Sequence, residues 1–99
     1  LQEALEQQRT RIASLKSELE QLEKEDALLL DQQRWFKQKI ESDIPSSVFV
    51  NLELQRIMNR IQREKVNRDI LLSQAQIRYL SASELGKIEA IVKELSFQN

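Results

Sequence analysis

Ninety-nine residues allow one domain at most, and only a small core of their own. With 40% hydrophobic and 31% charged residues, one glycine and one proline, the composition suits long helices and argues against a sheet-rich fold. Cysteine and histidine are both absent and the net charge is −1. Disulfides, thiolate chemistry and the usual transition-metal ligands are therefore missing, and no global field draws the chain to nucleic acid or an anionic membrane.

The first predicted element is a helix over residues 1–42. Apolar side chains recur in it at alternating steps of three and four: Leu5, Ile12, Leu15, Leu19 and Leu22 share one narrow seam. Taking Leu5, Ile12, Leu19, Asp26, Gln33 and Ile40 as a positions makes Leu1, Gln8, Leu15, Leu22, Leu29 and Phe36 the d positions, and nine of these twelve are apolar. A seam of this kind is unstable alone in water, so it demands a partner helix. After Asp26 the apolar arc widens to include Ala27, Leu28, Leu30 and Trp35, which implies neighbours on more than one side. The same widening suggests that the interface rotates after Leu22, leaving Asp26 and Gln33 half-exposed. The competing reading keeps both on the seam, where they would set register.

A loop is expected over 43–47. Pro45 biases Ile44 away from helical angles, and Ser46 or Ser47 can cap the next helix. Val48, Val50, Leu52 and Leu54 alternate like a strand, whereas Leu54, Ile57, Met58 and Ile61 step like a helix. The longer helical signal favours a second helix over 48–80, carrying Ile61, Val66, Ile70, Leu71, Leu72, Ile77 and Leu80 along a drifting stripe. Ser81, Ala82, Ser83 and Glu84 fit a capping box, so a short third helix is expected over 82–97, with Leu85, Ile88, Ile91, Val92 and Leu95 on its apolar face.

Charge suggests how the helices pair. Residues 1–43 carry ten acidic and seven basic side chains, and residues 51–80 carry three and six. An antiparallel reversal about Ile44 brings Glu18, Glu20, Glu23, Glu25 and Asp26 beside Arg60, Arg63, Lys65 and Arg68. It also brings the wide apolar arc beside residues 48–61. Exposed ion pairs contribute only about 0 to 1 kcal/mol each, so charge acts mainly against wrong orientations and wrong partners. The alternative is a long parallel homodimer in which Pro45 is only a kink.

The expected fold is thus all-α: an antiparallel helical hairpin or coiled coil with a short third helix, dimerising into a helical bundle. Glu20 and Glu23 could be drawn as an acid–base pair, but they sit on a solvated face with no nucleophile or glycine-rich turn nearby. The expectation is of no enzymatic activity, no cofactor, no metal and no small-molecule substrate. Arg56, Arg60 and Arg63 form a basic stripe that could contact phosphates, yet the facing acidic cluster disfavours nucleic acid. No apolar run approaches the roughly 18 residues of a membrane span, and no signal-peptide pattern is present. The chain reads as a fragment of a longer protein whose compartment is left open.

The function expected is non-catalytic protein–protein interaction and oligomerisation within a larger protein, as a homodimer or a subunit of a parent complex. The seam residues assigned to it are Leu5, Ile12, Leu15, Leu19, Leu22, Leu29, Phe36, Ile57, Ile61 and Ile70. The surface assigned to an outside partner is Leu28, Leu30, Trp35, Ile88, Ile91 and Leu95. An alternative is a small helical chaperone or secretion-type adaptor that holds a helical client. A third helix folded over the hairpin would leave such a client little groove, whereas one projecting outward would leave room.

Overall fold

In the computed structural model, which describes residues 1–39 and 44–97, the chain is two helices, α1 (Gln2–Gln38) and α2 (Ser46–Phe97). They pack antiparallel as a hairpin 88 Å long and 16 × 15 Å in section, and no strand occurs among the described residues. The chain reverses on itself, so Pro45 belongs to a turn and not to a kink in an extended rod.

α1 carries Glu3 in its first turn and Lys37 in its last, both signs favourable to the helix dipole. It ends earlier than its periodicity suggests. Lys39 has left helical angles at φ −93°, ψ 60°, and its N–H donates to the Phe36 carbonyl at 3.2 Å. The expected helical residues 40–42, the seam position Ile40 and the first loop residue 43 lie outside the described residues. α2 begins directly after Pro45, whose carbonyl accepts the Val48 N–H at 3.0 Å. The strand-like alternation of Val48 to Leu54 is therefore part of a helix.

The expected third helix is not separate. α2 runs unbroken through residues 81–84 to Phe97. Ala82 and Glu84 are good helix formers, and a serine costs only about half a kcal/mol in a helix interior. A capping box starts a new helix only where the preceding turn is broken. Neither a proline nor a positive-φ residue breaks it here, and none of the described residues has positive φ outside or at glycine.

The interface follows heptad spacing on both sides. On α1 the positions 5, 8, 12, 15, 19, 22, 26, 29, 33 and 36 are all buried or half-buried. On α2 the positions 52, 56, 59, 63, 66, 70, 73, 77, 80 and 84 are as well. Steps of three and four keep one face of each helix toward the other. The α2 seam is thus regular, not the drifting stripe that its apolar residues suggest. At 1.5 Å per residue, α2 is about 78 Å long against about 55 Å for α1. The two helices start from the same turn, so α2 outruns α1. Glu84 is the last half-buried residue among those described, and residues 85–96 are all exposed.

Candidate interaction surface

The interior of the hairpin is thin and unusually polar. Among the described residues its buried apolar members are Leu52, Val66 and Ile70, and its buried polar ones are Gln33, Asn59 and Ser73. The seam residues Leu5, Ile12, Leu15, Leu19, Leu22, Leu29, Phe36 and Ile57 are half-buried between the helices. At these positions the two helices leave part of each side chain uncovered. Gln8, also on the seam, has its Oε1 shielded without a hydrogen-bond partner, which further weakens the far end of α1.

The polar residues of the seam form one connected ladder. Gln33 is 9% exposed and donates from Nε2 to Glu53 Oε2 at 2.8 Å. Its Oε1 accepts from Arg56 Nη1 at 3.0 Å. The other edge of the Arg56 guanidinium meets Asp26, Nε to Oδ1 at 3.1 Å and Nη2 to Oδ2 at 3.5 Å. Arg63 Nη2 reaches Asp26 Oδ2 at 3.6 Å, while its Nε donates to Asn59 Oδ1 at 2.8 Å. Asn59 closes the ladder, donating from Nδ2 to the main-chain carbonyl of Leu22 at 2.9 Å.

Asp26 and Gln33 therefore stay on the interface and are paired across it. The rotation expected after Leu22 does not occur, because each polar side chain finds a matched donor or acceptor on α2 and is not driven to solvent. The pairing register is displaced from a reversal about Ile44. Glu18 Oε1 accepts from Gln62 at 3.4 Å, where that reversal would place Ile70 beside it. Among the described residues no ion pair joins Glu18, Glu20, Glu23 or Glu25 to Arg60, Lys65 or Arg68. Asp26 alone of the acidic cluster is bridged to the basic stripe.

At the turn end, Phe36 packs edge-on against Phe49 and Trp35 at ring-centroid distances of 6.2 and 5.1 Å. Trp35 is 51% exposed, with the Lys39 ammonium 4.1 Å from its ring centre. It borders a shallow apolar groove shared with Leu28, Gln32 and Phe36. A second groove lies between the helices, lined by Leu22, Leu29, Met58 and Asn59. Leu30, expected on the outer surface with Leu28 and Trp35, is half-buried. Ile61, expected on the seam, is 58% exposed, as the α2 heptad passes through Asn59 and Arg63 on either side of it. Leu71 and Leu72 are exposed as well.

A long uncovered stretch is the end of α2. Leu85, Ile88, Ile91, Val92 and Leu95 each keep about half or more of their area in solvent. Together with Leu28, Trp35, Val50, Leu54, Met58, Ile61 and others, fifteen large apolar residues are exposed against three that are buried among the described residues. Among the described residues no three acidic side chains converge as a metal site would need, and no helix is long and apolar enough to cross a membrane. Comparison with known protein families, curated proteins and solved structures finds no match.

The sequence reading missed Leu52, Glu53, Asn59 and Ser73 as interface residues. A signal was present. Stepping by four and three from Leu52 meets only buried or half-buried positions as far as Glu84, but four of them are Arg56, Asn59, Arg63 and Ser73, so a search for apolar periodicity passes over the frame.

Proposed function

We propose that the chain is a non-catalytic coiled-coil module for protein–protein interaction and oligomerisation within a larger protein. The supporting observation is the imbalance between fifteen exposed and three buried large apolar residues among those described. Apolar surface removed from water is worth roughly 25 cal/mol per Å². A hairpin that leaves so many large apolar residues in water has further surface for an outside helix to cover. The candidate contact surfaces are the turn-end groove of Leu28 and Trp35 and the projecting stripe of Ile88, Ile91 and Leu95.

The test is site-specific photo-crosslinking in cells, with the reactive residue placed at Trp35, Met58 or Ile91, and at the polar position Lys24 as control. The expected result is discrete protein adducts from the apolar positions and none from Lys24. Equal, diffuse labelling at all four would overturn the reading.

One observation favours the adaptor as a second reading: the end of α2 projects beyond α1 and is not folded over the hairpin. A client helix could lie along it, and its adduct at Ile91 would then be with varied unfolded chains and not with one partner. Nucleic-acid contact is the weaker third reading, because Arg56 and Arg63 are already engaged by Asp26. Failure to bind heparin at low salt would remove it.

A further inference from the structure

The end of α2 is complementary to itself. Ser73, Ile77, Leu80 and Glu84 are the last α2 residues covered along the seam, in steps of four, three and four. One further step of four leads to Ile88, and steps of three and four then lead to Ile91 and Leu95. The intrachain seam therefore continues into the projecting helix through a single stutter, a local adjustment that coiled coils accommodate by slight unwinding. In this frame Leu85 and Val92 flank the stripe on one side, and Lys87 and Glu94 flank it on the other. Glu89, Ala90, Lys93 and Gly86 face away. Glu84, half-buried beside the start of α1, bounds the stripe.

We propose that a second copy of this chain occupies the stripe, antiparallel, about a two-fold axis near residues 89 and 90. Resting on the reading of the chain as an oligomerisation module, this names the partner for one of its surfaces. In that arrangement Ile88 lies opposite Ile91 of the second copy, and Ile91 opposite its Ile88. Leu85 lies opposite Val92 and Leu95, and Lys87 opposite Glu94. The two-fold repeats each contact, so both Lys87 side chains meet a Glu94. A parallel pairing on the same stripe brings Lys87 level with Val92 instead, leaving the lysine and the glutamate without counter-charges. Opposite charges at flanking positions set helix orientation more than they set affinity. The same seam that joins α1 to α2 then runs on into a joint between two hairpins.

The interface is short, near or below the roughly 1,200 Å² lower bound of stable specific contacts, so the dimer is weak. Light scattering should show the apparent mass rising from one copy toward two between about 5 µM and about 500 µM, as a weak dimer would. Ile91→Glu should hold the mass at one copy throughout without changing the helicity of the dilute protein. Lys87→Glu and Glu94→Lys should each weaken the dimer at least about fivefold, and the double exchange should restore it to within about twofold. Circular dichroism of each variant at the lowest concentration checks that helicity is retained. A wild-type mass of one copy at every concentration would overturn the proposal, as would a dimer indifferent to Ile91→Glu or one not rescued by the double exchange. If the wild type stays monomeric while Ile91 crosslinks to a different protein in cells, this proposal fails and the interaction function stands.

Discussion

Asn59 of α2 donates from its side-chain amide to the main-chain carbonyl of Leu22 on α1, at 2.9 Å, across the middle of the hairpin. A side chain bonded to a specific main-chain oxygen fixes axial position as well as face. Sliding α2 by one turn removes the bond and leaves the Asn59 amide buried without a partner. Apolar neighbours tolerate small slips, whereas this amide does not.

Asn59→Ala removes two hydrogen bonds, one to Leu22 and one from Arg63, and should lower stability by about 1–2 kcal/mol in urea unfolding. Asn59→Leu puts an apolar side chain on the seam in place of the amide, so it should cost less than alanine. Its register should nevertheless be looser. Cysteines placed at Glu18 and Gln62, whose side chains meet in the native hairpin, should crosslink less completely in the leucine variant than in the otherwise unaltered chain. Equal crosslinking in both would show that Asn59 sets no register.

Asp26 holds two arginines of α2, and the Arg56 contact is the closer. The two side chains keep 16% and 29% of their area in solvent, between a buried pair and a surface one. A double-mutant cycle of Asp26→Ala and Arg56→Ala should therefore give a coupling of about 1 kcal/mol, near the upper end for exposed pairs. The Arg56 guanidinium is held above its ordinary value, first by its hydrogen bond to Asp26, against desolvation, and then by the charges of Asp26 and Glu53. A base raised on folding contributes fully below its unfolded value and loses that contribution only as pH rises through the folded one. Arginine titrates far above neutrality, so the coupling should be unchanged between roughly pH 6 and 9. A coupling that declined across that window would mean the arginine is not the partner that Asp26 needs.

Ile61 and Ile70 carry the same side chain on the same helix, yet one is 58% and the other 7% exposed. Ile70→Ala should cost about 2–3 kcal/mol, the low end for a buried isoleucine because two helices can close partly over the gap. Ile61→Ala should stay within about 0.5 kcal/mol. Urea midpoints of the isolated chain measured at low micromolar concentration separate the two. Similar losses at both positions would require a partner over Ile61.

That contrast shows what the sequence could and could not reveal. The frame of α1 was legible because leucine and isoleucine occupy most of its a and d positions from Leu5 to Leu22, and the same frame carries on through Asp26 and Gln33. The all-helical hairpin followed from it, from Pro45 and from the opposite charges of the two halves. The frame of α2 was concealed. Its seam runs through Arg56, Asn59, Arg63 and Ser73, while Leu54, Met58, Ile61, Leu71 and Leu72 stand outside it. Apolar periodicity on α2 therefore reports surfaces left over for something else as well as the surface turned to α1. Pairing of polar residues depends on which side chain stands opposite, and no single-helix pattern contains that. The absent break at 81–84 has another cause: residues that can cap a helix can also sit inside one.

Gly86 offers the sharpest probe of the projecting segment. It lies in the interior of α2, past the last covered residue, and a Cβ added there would meet nothing within 4 Å. In a packed helix, propensity is a small term beside burial. In a helix without tertiary contacts it acts at nearly full strength, so Gly86→Ala should stabilise the segment by up to about 1 kcal/mol. Amide exchange should register this as roughly fivefold greater protection over residues 85–95, with no change around Val66 and Ile70, whose protection comes from the hairpin. Position 86 faces away from the stripe of Ile88, Ile91 and Leu95, so the added methyl leaves the proposed contact untouched while reducing the order the segment must gain on binding. The same variant should then dimerise at a lower concentration than the wild type. Greater protection without tighter dimerisation would count against pairing of two copies through the stripe. No gain in protection would show that residues 85–95 are already held by contacts the free helix does not provide.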